Sequence, residues 1–292
     1  MGKKSITFII NPISGVSGTK KKENAILNWI DKSKFDYRIE YTQYAGHATV
    51  ISAEEVKRGT DIIVAVGGDG SVNEIARELI NSNSTLGIVP AGSGNGLAHH
   101  LGISVNLRKA IEIINKGNTL KMDTGKVNEK VFVSLAGIGF DGLVAAKYAN
   151  SKIRGFLAYM KIATEEYTRY KPKKYTIKIN GRIIKQRALF IIFANSNQFG
   201  YNAPIAPEAC VSDGLLDVVI SQKPLMVEMP LIAGLMYWRK IDKTKYVEVI
   251  KSSEIIVKSK KRRWVNIDGE AFKMDKKIHV KVIPNSLNII VP

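Results

Sequence analysis

The hydrophobic periodicity of this chain changes near residue 122, and that change limits what it can fold into. Upstream, short β-branched runs alternate with helical patterns. Residues 6–11 read as a strand and 20–32 as a helix, with Thr19 a candidate N-cap and Ala25, Ile26, Trp29 and Ile30 along one stripe. Strands follow at 37–42, 62–66 and 86–89, and helices at 48–57, 72–79 and 107–115. The 62–66 run, IIVAV, is apolar throughout, as in a strand buried on both faces. Such alternation predicts a mainly parallel sheet covered by helices. Downstream, strands dominate: 121–127, 131–135, a hairpin of 175–179 and 182–193 turned by Asn180-Gly181, then 216–220, 254–257, 263–267, 278–282 and 287–291. Helical patterns interrupt at 152–170, ended by Lys171-Pro172, and at 226–238. The expected fold is therefore an α/β domain over 1–122 and a β-rich sandwich over 123–284.

Charge follows the same division. Residues 1–120 carry 14 basic and 11 acidic side chains, whereas 121–292 carry 30 and 15, so +15 of the net +18 lies in the second part. That part is suited to an anionic partner. The run Lys258-Ser259-Lys260-Lys261-Arg262-Arg263 beside Trp264 is the densest, and YTRYKPKK at 167–174 and WRKIDKTK at 238–245 repeat the mixture of aromatic and basic residues. This composition suits an anionic membrane interface. No nucleic-acid fold signature accompanies it, so nucleic acid is not expected as a partner. A simply solvated basic face is the plainer alternative. One cysteine excludes a disulfide framework and a cysteine-rich zinc site. No apolar stretch is long enough to span a bilayer, and no signal peptide is visible, which together read as a cytoplasmic protein. His47, His99, His100 and His279 lack metal-ligand spacing, and Cys210 reads as a small buried hydrophobe rather than a nucleophile.

The residues with chemistry lie after the buried strands. Gly67-Gly68-Asp69-Gly70-Ser71 follows IIVAV and precedes a helix. Glycines here let the backbone adopt positive φ and approach a ligand closely, and amides at a helix start attract anions. Asp69 within such a pocket would need Mg²⁺, a proton or a hydroxyl as partner. A tight turn with an acidic cap is the bland alternative. A second glycine loop, Gly92-Ser93-Gly94-Asn95-Gly96, follows the next strand, and Asn11-Pro12-Ile13-Ser14-Gly15 follows the first. All three belong to one sheet edge, where parallel sheets bind ligands. No Walker loop, dinucleotide fingerprint or protein-kinase signature is present.

With these motifs the chain resembles the diacylglycerol kinase catalytic-domain family of lipid kinases, which includes bacterial lipid kinases and the sphingosine and ceramide kinases. The resemblance rests on Asn11-Pro12-x-Ser14-Gly15, Gly67-Gly68-Asp69-Gly70-Ser71 with Asn73-Glu74, Gly92-Ser93-Gly94-Asn95, Gly137-x-Gly139-x-Asp141, Asp213-Gly214-x-x-Asp217 and Asp268-Gly269-Glu270. It implies an NAD kinase/diacylglycerol kinase-like pair of domains, with 285–292 returning to the first. It also implies MgATP-dependent phosphorylation of a lipid hydroxyl, of diacylglycerol or sphingoid type, at the inner membrane surface. By the resemblance, Gly67, Gly68, Asp69, Gly70, Ser71, Val72 and Asn73 cradle the ATP phosphates, and Asn11, Thr42, Gly92, Ser93 and Asn95 complete the nucleotide site. Glu270 is the expected general base and Asp69 the Mg²⁺–ATP ligand, although sphingosine-kinase-like members give the base role to the glycine-loop Asp. Ser71 and Ser93 stand where many bacterial members have Thr. A second Mg²⁺ is implied at Cys210 and Leu215, through main-chain oxygens, and at the Asp213 carboxylate; a hairpin turn is the alternative there. Gly137–Asp141 and the helices after it would wall the lipid cleft. An NAD kinase-like enzyme and a non-catalytic anionic-lipid-binding protein are the competing readings, and open β-sheet edges make a homodimer an expectation to test.

Overall fold

The structure, a computed structural model, describes residues 2–15, 18–151, 155–200 and 203–292. The chain forms two compact units, Met1–Asp123 with Asn285–Pro292, and Thr124–Pro284. The first contains β1 (Lys4–Ile10), α1 (Thr19–Trp29), β2 (Phe35–Tyr41), α2 (His47–Lys57), β3 (Ile62–Gly67), α3 (Asp69–Leu79), β4 (Thr85–Pro90), α4 (Gly96–His100) and α5 (Leu107–Lys116). Strand order is β2-β1-β3-β4, all parallel. The β1→β2 connection runs to one side of β1 and β2→β3 returns to the other. The β1/β3 crevice is thus the topological switch point, where open α/β sheets bind ligands. β3 is buried at every residue, as its unbroken apolar run requires. Thr19 is not the cap of α1: Gly18 holds that position, and Thr19 Oγ1 donates to Pro12 O at 3.4 Å.

The second unit is built from β5 (Thr119–Val127, which starts in the first), β6 (Lys130–Phe132), β7 (Leu135–Gly139), α6 (Phe140–Ala149), α7 (Phe156–Arg169), β8 (Lys173–Ile179), β9 (Arg182–Ala188), β10 (Phe190–Ala194), β11 (Leu216–Ser221), α8 (Met229–Tyr237), β12 (Val247–Ser252), β13 (Glu254–Ser259), β14 (Arg263–Ile267), β15 (Glu270–Met274) and β16 (Lys277–Ile290). One antiparallel sheet runs β12-β11-β10-β7-β14-β15; in the other, β13 lies between β8 and β16, and β8 pairs with β9. Alternate residues of both sheets meet in one core, including Tyr175, Ile177, Ile191, Phe193, Val218, Ile255, Val257 and Val265. This is the expected sandwich. The far end of β16 leaves it and pairs parallel with β4 in the first unit, through Asn288 and Ile289.

The structure departs from the sequence reading where side chains or a corner interrupt a strand. Residues 182–193 form two strands rather than one. They break at Leu189, whose N–H donates to Ser221 O at 2.7 Å. Residues 278–282 and 287–291 are instead parts of one strand, β16. The start of the expected helix at 152–170, residues 152–154, lies outside the described residues. The expected strand 131–135 stops at Phe132 and resumes at Leu135, because the Val133, Ser134 and Leu135 N–H groups donate to the Asp268 carboxylate at 2.7, 2.9 and 3.0 Å. Asp268 (φ 48°) and Gly269 (φ 91°) are the two central residues of the β14–β15 hairpin, a positive-φ pair of the type that matches strand twist.

Hydrogen bonds to a charged acceptor contribute about 1.5–3 kcal/mol each, and their loss leaves amides unpartnered. Asp268→Ala is therefore expected to cost about 3 kcal/mol or more in denaturant unfolding. Glu270→Ala, at the exposed next-but-one position, is expected to cost under about 1 kcal/mol. Equal losses would remove Asp268 from this structural role.

Candidate functional site

Parallel pairing brings the C-terminal ends of β1, β2, β3 and β4 to one edge, and hydrogen bonds lock the segments that follow. Asn11 N–H donates to Val66 O at 3.1 Å, Thr42 N–H to Ile10 O at 2.9 Å, and Ala91 N–H to Gly67 O at 2.8 Å. Asn11 Nδ2 donates to Ser71 Oγ at 3.1 Å, joining the first loop to the first turn of α3. The expected nucleotide residues of this unit, Asn11, Thr42, Gly67 to Asn73, Gly92, Ser93 and Asn95, thus occupy one edge.

Apart from Gly15, whose φ is 63°, these glycines act through space rather than handedness. None of Gly67, Gly68, Gly70 and Gly92 has positive φ, which corrects the sequence expectation. A Cβ on Gly92 would stand 2.3 Å from Gly68 Cα, and one on Gly15 2.0 Å from Ala91 O. A Cβ on Gly67 would meet Ser71 Oγ at 2.6 Å. The backbones of three loops therefore touch with no room for a side chain. Gly70 differs: its missing Cβ faces open space. The supposed loop is also shorter than expected, since α3 begins at Asp69 rather than Val72 and makes Asp69, Gly70 and Ser71 its first turn. Its N-cap, Gly68, has no side chain with which to cap it. Its leading N–H groups lie at the switch-point edge, the arrangement that favours a phosphate.

Asp69 is half-buried, and its Oδ1 accepts the Gly96 N–H at 2.6 Å. Burial raises its pKa, opposed by the amides of Gly96 and Asn95. Asn95, at φ 50°, staples its own loop: Oδ1 accepts from Gly92 N–H at 3.1 Å and Nδ2 donates to Gly92 O at 2.8 Å. Ser93 is exposed on that loop. Sequence reasoning missed Lys22. This buried lysine donates to Asn11 O at 2.9 Å, Ser14 O at 2.7 Å and Ser14 Oγ at 2.9 Å, so it holds the first loop from below, and burial lowers its pKa. Its signal was a lysine on the apolar stripe Lys22-Ile26-Ile30.

Glu270 belongs to the second unit, as the exposed first residue of β15. In the same unit the Gly137-x-Gly139-x-Asp141 motif is explained by packing. A Cβ on Gly137 would lie 2.0 Å from Asp141 Oδ2, one on Gly139 2.7 Å from Leu189 O, and one on Gly142 2.1 Å from Trp264 O. Asp141 is buried, with Oδ1 accepting from Asn266 Nδ2 at 3.2 Å and Oδ2 without a hydrogen-bond partner among the described residues. Burial pushes its pKa up to about 6. The buried polar run Asn195 to Gln198, directly after apolar β10, was also missed; Asn195 Nδ2 donates to Val133 O at 2.8 Å.

In the expected second-domain metal loop the one carboxylate already has partners. Asp213 Oδ2 already holds the Lys251 ammonium at 2.8 Å, and Oδ1 accepts the Leu215 N–H at 3.1 Å. Lys251 also approaches Asp217 at 3.8 Å. Cys210 is exposed, not buried as its sequence reading expected, and its Sγ lies 3.7 Å from Ser212 Oγ. Among the described residues no cluster of three or more His, Cys, Asp or Glu side chains has metal-binding geometry.

A parallel α/β unit with glycine loops on one edge, followed by an antiparallel sandwich, defines the class of two-unit fold that the motifs implied. The family model for the diacylglycerol kinase catalytic domain matches residues 5–127, and that for the YegS C-terminal NAD kinase beta sandwich-like domain matches 134–291. The chain belongs to the diacylglycerol kinase catalytic-domain family. It is 28% identical over 274 residues to a diacylglycerol kinase of Bacillus subtilis (strain 168), covering 91% of this chain and 90% of that one. It is 27% identical to one of Staphylococcus aureus (strain MRSA252) over 276 residues, 92% of this chain and 86% of that one. A crystal structure of a diacylglycerol kinase from Bacillus anthracis str. Sterne shares the fold at a TM-score of 0.76, with 20% identity, over 99% of this chain and 97% of that one.

Asp141 makes stability depend on pH in a defined sense. Its folded pKa is raised, so between about pH 4 and 6 the folded state holds the extra proton and stability contributed by this site falls as pH rises. That rise corresponds to roughly 3 kcal/mol at neutral pH. Asp141→Asn should match wild type near pH 4 and exceed it increasingly up to about pH 6, then hold a constant margin. Thermal melts at stepped pH measure this; a margin independent of pH would count against it.

Proposed function

We propose that the protein is an ATP- and Mg²⁺-dependent lipid kinase that phosphorylates the hydroxyl of a diacylglycerol- or sphingoid-type lipid at an anionic membrane surface, from the cytoplasmic side. The names of its curated relatives favour diacylglycerol. The observation that carries the lipid half of the reading is the segment Leu225 to Trp238. Val227, Leu231, Tyr237 and Trp238 are 81, 64, 73 and 71% exposed, while Met229, Ile232 and Met236 of α8 pack on the buried clusters beneath. An apolar helix ending in Tyr-Trp and followed by Arg239 and Lys240 has the composition of a membrane-interface element. Among the described residues no helix is long and apolar enough to cross a membrane.

For the nucleotide half, the first turn of α3 and the interlocked glycine loops offer amides to phosphate oxygens. Mg²⁺ is usually bound by one or two carboxylates plus substrate phosphates, and Asp69 fits that donor set. Bound there, the ion would neutralise charge on the transferring phosphoryl group. Asn11, Ser71 and Ser93 supply polar groups around the nucleotide, and Asn95 and Lys22 hold the loops in shape. Glu270 is assigned as the base that orients the lipid hydroxyl and accepts its proton, as catalysis of this kind rests mainly on positioning.

A radiolabelled-ATP screen over diacylglycerol, sphingoid base, ceramide, monoacylglycerol and phosphatidylglycerol, with the product identified by mass, tests the reaction. Asp69→Asn and Glu270→Gln should each reduce turnover at least about 100-fold with the melting temperature retained. Near-normal turnover in both would refute the assignment. Leu231→Glu is expected to weaken binding to anionic vesicles about tenfold or more without altering ATP affinity. Wild-type vesicle binding should fall steeply with salt. Salt-insensitive binding would leave the basic surface unassigned.

A further inference from the structure

Two basic segments that are far apart in sequence converge on one cavity within the second unit. Arg169, Lys171 and Lys173 come from the α7–β8 junction, and Arg262 and Arg263 from the start of β14; together they line a space of about 340 Å³. Gly139, Leu143, Tyr170 and Trp264 complete its walls. The lining has one carboxylate, Glu166, and it is already paired with Lys147 at 2.5 Å. Arg262 pairs with Asp275 at 3.1 Å at the surface. Arg169, Lys171, Lys173 and Arg263 make no ion pair among the described residues, and Arg263 Nε is buried without a hydrogen-bond partner.

Unpaired cations held this close are costly, and the strain registers on Lys173. Burial, together with Arg263, Lys171, Arg187 and Lys261, lowers its pKa. Its ammonium lies 5.0 Å from the centre of the Tyr170 ring rather than beside an acid. An anion would relieve the repulsion and satisfy the buried Nε. The geometry selects among anions. Two guanidiniums and two ammoniums arriving from two sides match an oxyanion with three or more acceptor oxygens better than the two of a carboxylate. The space is at the lower end of the range for small-molecule pockets, so it holds more than a bare ion. Leu143, Tyr170 and Trp264 offer an apolar and aromatic wall to the remainder.

We propose that this cavity, lined wholly by residues of the second unit, is a phosphate-binding site for a phosphoester carrying a small organic group. It does not rest on the kinase reading. The shared chemistry is a phosphate, whether from a lipid headgroup or from a free metabolite.

Titration calorimetry without nucleotide tests this with three probes: inorganic phosphate, glycerol 3-phosphate, and phosphatidylcholine vesicles with or without phosphatidate. Glycerol 3-phosphate should bind saturably, and Arg263→Gln should weaken it at least tenfold. The pair Lys178→Gln/Lys185→Gln, exposed on β8 and β9 outside the cavity, should leave it within twofold. Because that control removes more charge than the test variant, general attraction cannot mimic the result. If Arg263→Gln fails to fold, Arg169→Gln/Lys171→Gln, both exposed, carries the same prediction. Tighter, variant-sensitive binding to phosphatidate vesicles assigns the site to a headgroup; equal or tighter binding of the soluble probes assigns it to a free phosphoester. Absence of saturable binding to all three, or equal losses in test and control variants, overturns the proposal. Since no turnover is measured, an inactive enzyme would not affect the outcome.

Discussion

The contact on which the candidate nucleotide edge depends is backbone against backbone, Gly68 against Gly92. Their loops close to a distance that a single added methyl group would forbid. Interiors are packed too tightly to absorb such an atom, so glycine at these positions is set by volume. Gly15 repeats the arrangement against Ala91. Around this contact the other groups are positioned in turn: Ser71 reaches Asn11, Asn95 staples Gly92, Asp69 takes the Gly96 amide, and Lys22 gathers the oxygens of the first loop. Without the close approach, the three loops would not share one surface.

The second unit uses a charged side chain for a comparable purpose. Asp268 fills the gap between β6 and β7 by accepting three successive amides, so a carboxylate replaces ladder partners. Its neighbour Gly269 completes the hairpin turn, and Glu270 carries the one exposed side chain of the Asp-Gly-Glu triplet. One triplet thereby divides into two structural residues and one chemical candidate. The Asp213 loop shows the opposite outcome. Its carboxylate is engaged by Lys251, whose position in the chain carries no hint of that pairing until β11 and β12 align.

Much of the architecture was legible because local pattern and burial agree. IIVAV is apolar at every position and is buried at every position; Asn180-Gly181 turns a hairpin; the switch from alternating elements to strands marks two kinds of layer. Edge strands β12 and β15 were not legible, since VEVIKS and EAFKM carry charges and acquire strand geometry only from their partners. The corner at Leu189 was hidden for a related reason: residues 182–193 read as one extended run, and only packing into two sheets requires a break.

The sequence alone determined the order and type of most elements, the glycine and acidic motifs, and the concentration of positive charge after residue 120. These are properties of neighbours in the chain, set by periodicity, turn chemistry and composition. Tertiary structure decided what those residues touch. It turned the glycine loop into a helix start, buried Lys22 beneath the first loop, buried Asp141 beside Asn266, and brought Arg169 and Lys173 to the same cavity as Arg263. The physical reason is range. Backbone preference acts over a few residues, whereas desolvation, charge repulsion and close packing depend on atoms that folding brings together from distant positions.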